Sequence, residues 1–154
     1  NLIILHNMEI REGIKYEYEL GKFATVKQSL SNPKQFYAIF EDARSASGDY
    51  SVSAWVKDFK SGSLKLIEYP YKVGDWVVIT KYEHGDPEGT IVRVESIRNN
   101  EAVNYTPVIK IGMFYGASFE AIRPAFKEEI PNYKQKVVKE NYDYLIPILT
   151  KLDE

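Results

Sequence analysis

The stretch Tyr69–Arg123, YPYKVGDWVVITKYEHGDPEGTIVRVESIRNNEAVNYTPVIKIGMFYGASFEAIR, decides the fold. It alternates short apolar runs with turn formers. Val73-Gly74-Asp75 turns into a strand at 76–81, Tyr82–Gly89 is dense in Gly, Asp and Pro, and a second strand follows at 90–97. Asn99-Asn100 centres the next turn, and a third strand over 103–111 is interrupted by Pro107, which cannot donate to a ladder. Short strands joined by tight turns predict a small barrel, because closure removes edges that would pair with other chains.

Outside this stretch the chain is read as additions. The organisation expected is a β-rich, or α/β, region at 1–68, the barrel at 69–123 and a helical arm at 124–154. The fold class is mainly β (α+β). In IKYEYEL, Ile14, Tyr16, Tyr18 and Leu20 alternate with Lys15, Glu17 and Glu19, so a strand runs over 14–20 with Glu17 and Glu19 on its wet face. Residues 22–30 form a second strand or a short helix. For residues 33–44 two readings stand: a helix capped by Asn32 with Pro33 at its first position, or a strand built on FYAIF. Alternation over 49–56 predicts another strand with Trp55 as packing, and Leu64–Tyr69 completes a hairpin through Ser61-Gly62-Ser63. A helical turn is expected from Pro124 to Ile130, stopped by Pro131. Beyond it Val138, Tyr142, Leu145, Leu149 and Leu152 fall on one amphipathic stripe that Pro147 kinks; this stripe covers the sheet or forms a dimer seam. Residues 1–7, ahead of Met8, are either a processed or added leader or a strand that pairs elsewhere.

Composition narrows the function. Hydrophobic residues make up 44% and charged residues 27%, so folding is expected and disorder excluded. Without cysteine there is no disulfide, thiolate metal site or thiol nucleophile, which suits a cytoplasmic protein. The longest apolar run, Leu2–Leu5, is far short of the roughly 18 residues of a membrane span. Twenty basic residues face 22 acidic ones with no basic third, so a large footprint for duplex DNA is not expected. Twelve tyrosines suit either interfaces or ordinary sheet packing.

Two parts of the central stretch carry a resemblance. Val73-Gly74-Asp75-Trp76-Val77-Val78-Ile79, followed by Gly85 and by Gly89-Thr90-Ile91-Val92-Arg93-Val94, resembles the SH3-like barrels that include KOW-type domains. Ile122-Arg123-Pro124-Ala125 with Lys127-Glu128-Glu129-Ile130 is similar to the ending of such barrels in small phage proteins. KOW-type members often bind RNA through basic residues near the turn; here the turn carries Glu83, Asp86 and Glu88. The resemblance therefore implies a fold, and protein binding before nucleic-acid binding.

The function expected is a non-enzymatic, phage-encoded binding protein in the host cytoplasm that occupies a partner's surface, for instance as an inhibitor of a host or defence enzyme. Trp76, Tyr82, Tyr105, Tyr115 and Arg123 flank turns or strand ends and are the contact candidates. A second reading is single-stranded nucleic-acid binding, with stacking on Trp76, Tyr105 and Phe114 helped by Arg93, Arg98 and Lys110. A third is sequestration of a nucleotide in an aromatic pocket. No phosphate-cradling loop, triad or metal motif is present, and no catalytic residue, metal ligand or cofactor is expected. His84 among its carboxylates, with His6 remote, reads as a solvated turn, and Glu17 with Glu19 as a solvated pair.

Overall fold

The protein is described from a computed structural model, which describes residues 8–42, 45–83, 85–107 and 115–133. Among these residues it is mainly β, with two antiparallel five-stranded sheets in two compact units, Met8–Tyr71 and the described residues from Lys72 on.

The first unit begins with β1 (Lys15–Glu19) and β2 (Lys22–Gln28), joined by a turn in which Gly21 takes a φ of 75°. β3 (Gln35–Phe40) pairs with β2, which settles residues 35–40 as strand. Asn32 does not cap a helix; its Oδ1 accepts the Lys34 N–H at 3.0 Å and makes a local turn. Tyr16, Ala24 and Phe40 stand in register on one face, with Val26 and Ala38 beside them. Leu20, expected on that face, lies past the end of β1 and is exposed.

The strand expected over 49–56 is corrected. Only β4 (Tyr50–Ser51) is extended, and α1 (Val52–Ser61) follows at once. Ser51 caps the helix by accepting the Ala54 N–H, and Gly62 closes it in the left-handed region at φ 85°, where a side chain would be strained. The alternation of Val52, Ala54 and Val56 misleads because it ignores the pair Trp55 and Phe59, four apart and both buried. The hairpin expected at 64–69 is corrected with it. β5 (Lys65–Glu68) returns from the helix to pair with β1 at the far side, giving the order β4-β3-β2-β1-β5. An aromatic cluster joins helix to sheet: Tyr16 meets Trp55 and Phe59 edge-on at 5.5 and 5.6 Å, and Trp55 Nε1 donates to the Phe36 carbonyl at 3.0 Å.

In the second unit β6 (Trp76–Ile79), β7 (Ile91–Arg98) and β8 (Ala102–Pro107) form a meander. Asn99 and Asn100 are the central residues of the tight turn between the last two, closed by the Glu101 N–H on the Arg98 carbonyl at 2.9 Å; their φ of 49° and 54° have the sign a type I′ turn requires at both positions. β9 (Tyr115–Ser118) pairs with β8, a 3-10 turn at Phe119–Ala121 follows, and β10 (Ile122–Pro124) comes back to β6. The order is β10-β6-β7-β8-β9. Closure expected of a barrel is not completed, since β9 and β10 remain at the two edges. Register puts Val77, Val92, Val94, Val103, Tyr105 and Ala117 on one face, and all are buried. Trp76, Val78, Ile91 and Arg93 occupy the other face by alternation.

Pro131, expected to stop a helical turn, instead lies inside the helical residues 129–133. A first turn tolerates proline because its missing N–H would have had no helical partner. The stripe at 138–152 and residues 1–7 lie outside the described residues. Among the described residues no helix is long and apolar enough to cross a membrane.

Candidate binding surface

The loop from β6 to β7 is held by bonds to its own base and to the sheet. Its base is backbone-bonded: Ile79 N–H donates to the Thr90 carbonyl at 2.8 Å, Gly89 N–H to the Ile79 carbonyl at 2.7 Å. Its middle is tied to the sheet by two acidic side chains. Glu83 takes the Ser118 N–H on Oε1 at 3.0 Å and the Ser118 hydroxyl on Oε2 at 2.9 Å. Tyr105 donates its phenol to Asp86 Oδ2 at 2.9 Å, and the phenol oxygen accepts the Asp86 N–H at 3.2 Å. Between these anchors Gly85 passes so close that an added Cβ would stand 2.5 Å from the Tyr105 oxygen. Only a residue without a side chain fits there.

Burial pushes the Tyr105 phenol up to about 12, the Asp86 N–H working against it and the carboxylate adding to it. Tyr115 stacks on Tyr105 at 5.5 Å between ring centroids. Together with Ile79, Lys81 and Ala117, the anchors line a shallow indentation. The carboxylates are engaged by a backbone amide, a hydroxyl and a phenol, so the arrangement holds a loop in place. What it leaves in solvent is Tyr82, 64% exposed.

The five contact candidates fall in two places. Tyr82, Tyr105 and Tyr115 belong to the loop and the strands under it, but Tyr105, expected on an exposed rim, is 2% exposed and acts as an anchor. Trp76 and Arg123 belong to the opposite sheet face. Trp76 packs with Tyr133 against Val78, Ile91, Ala125 and Ile130. Arg123 grips Glu129 through both guanidinium nitrogens at 2.8 and 2.7 Å, while Glu129 also accepts the Phe126 N–H. Arg93, the register partner of Trp76, is exposed on that face, as is Arg98; Phe114, Lys110 and His84 lie outside the described residues.

Glu17 accepts the Gly21 N–H and Glu19 pairs with Lys22 at 2.9 Å, so both are used in their own turn. Among the described residues no group of three His, Asp or Glu is placed to hold a metal. The residues that sequence reasoning missed are Glu83, Asp86 and Ser118 as anchors. Their partners lie 35 and 19 positions away, and no local spacing signals such a bond. Compared with known proteins, the chain matches no family model, no curated protein and no solved structure.

Proposed function

We propose that this is a non-enzymatic binding protein that works through protein–protein contacts, with the loop between β6 and β7 as its contact element. The observation that carries the reading is Tyr82, 64% exposed on a loop tied down on both sides of Gly85 by Glu83 and Asp86. A fixed loop presenting an aromatic ring loses little conformational freedom on binding, and tyrosine adds apolar area with a polar tip. Occupation of a partner's surface by such a loop is a route to inhibition, and a phage protein directed at a host or defence enzyme is the setting we propose for it.

The frame we propose for the second unit is an open SH3-like barrel. Its support is the meander β6-β7-β8-β9, followed by a 3-10 turn and a last strand that returns against the first. Absence in solution of amide contacts between Val78 and Arg123 would remove that frame. Capture from the source cells with the wild-type chain and with Tyr82→Ser tests the function. A partner retained by the first and lost by the second, with unchanged circular dichroism, supports it. Identical captures, or turnover of a substrate by the purified protein, overturn it.

A further inference from the structure

An antiparallel ladder turns the amide groups of alternate residues toward its neighbour and away from it. In β9 the Ser118 N–H donates to Glu83 and not to β8, so it points outward from the sheet. Gly116, two residues earlier and opposite Asn104, points its amide groups the same way. Such a row is what a further strand would pair with. The loop covers it: Glu83 takes both donors of Ser118, and Gly85 runs beside the Gly116 carbonyl, 3.6 Å from where a Gly85 Cβ would stand. The first unit closes an edge by a similar device at β3, where the Ala38 N–H donates to Ser47 Oγ at 2.7 Å and the Ala38 carbonyl accepts the Ser47 N–H.

We propose that Glu83 is an edge guard: by occupying the outward Ser118 N–H it keeps β9 from pairing with β9 of a second copy of this chain. A second copy is the occupant because two such edges, related by a two-fold axis, offer each other the same alternating amides and carbonyls. The proposal does not depend on what Tyr82 binds.

Glu83→Ala leaves the Ser118 N–H open, and sedimentation should show mass rising with protein concentration toward twice the wild-type value. Glu83→Asp, whose shorter side chain draws the carboxylate back without changing the charge, should do the same to a smaller extent. Glu83→Gln keeps an acceptor oxygen and should sediment as wild type. The decisive variant adds Ser118→Pro to Glu83→Ala. Ser118 sits at φ −69°, the value proline fixes, so the ring fits and removes the outward N–H. That double variant should return to the wild-type mass. Folded E83A and E83D that sediment as wild type at every concentration overturn the proposal, as does a double variant that associates as strongly as E83A.

Discussion

The two units solve one problem in different ways. Each has a five-stranded antiparallel sheet with an apolar face to cover. The first lays a helix on it and fills the join with rings, Tyr16, Trp55 and Phe59, all buried. The second lines its face with valines, Val77, Val92, Val94 and Val103, and ties a long loop over one end with carboxylates. A helix lid concentrates stability in a few large side chains. A sheet with a tied loop spreads it over many small ones and leaves the loop to be fixed by a few polar bonds.

Trp55→Ala is the hardest blow to this contrast. Replacing a buried tryptophan costs about 3–5 kcal/mol, and here the indole also carries the bond to the Phe36 carbonyl. The substitution leaves Trp76, in the second unit, as the one remaining tryptophan of two. In a urea titration, far-ultraviolet circular dichroism should show an early loss of the first unit while Trp76 fluorescence keeps its wild-type midpoint. If the Trp76 midpoint falls by as much, stability is shared and the contrast between the units fails.

Gly85→Ala addresses the second unit's own device. A methyl group 2.5 Å from the Tyr105 oxygen forces the loop off its anchor, and overpacking of this kind costs about 1–3 kcal/mol. Divided by a slope of about 1–3 kcal/mol per M of urea, that loss should lower the Trp76 midpoint by about 1 M while the midpoint of the first unit stays in place. An unchanged Trp76 midpoint would mean that the loop is not held by Asp86 and Tyr105.

How far these features can be read in advance follows the same division. The second unit is legible because its strands are marked by local chemistry: Asn99-Asn100 supplies two positive φ angles, and Gly and Pro bound the loop. In the first unit the sequence reads as strand where α1 stands, because Val52, Ala54 and Val56 alternate while Ser51 and Gly62, the caps that decide it, lie at the margins. Closure is overestimated because nothing local tells whether two edge strands meet. The anchors are illegible for a related reason. Glu83 and Asp86 look like ordinary solvated turn residues until Ser118 and Tyr105 are brought beside them. Tyr82 is visible as a candidate, since an aromatic residue at the mouth of a turn is a local signal.

Alkaline pH gives the smallest and most symmetric test. Burial first, then the neighbouring Tyr18 and Tyr50 phenols, pushes Tyr16 in the first unit up to about 12; burial also pushes Tyr105 in the second to about 12. Both values stand above the ordinary 10.0, so folding favours the protonated phenol. Below pH 10 that stability is fully present in both units; between 10 and 12 the unfolded chain ionises first, and the stability is lost as pH passes through the folded value. Tyr16→Phe and Tyr105→Phe should each flatten the loss between pH 10 and 12 in their own unit. They should differ at neutral pH, because only Tyr105 gives up bonds to Asp86, one donated to its carboxylate and one accepted from its N–H, each worth about 1 kcal/mol. Melting curves of the two variants at both pH values check this. Equal losses at neutral pH would mean that the Tyr105–Asp86 anchor contributes nothing, and that the loop of the second unit is held by Glu83 and its backbone bonds.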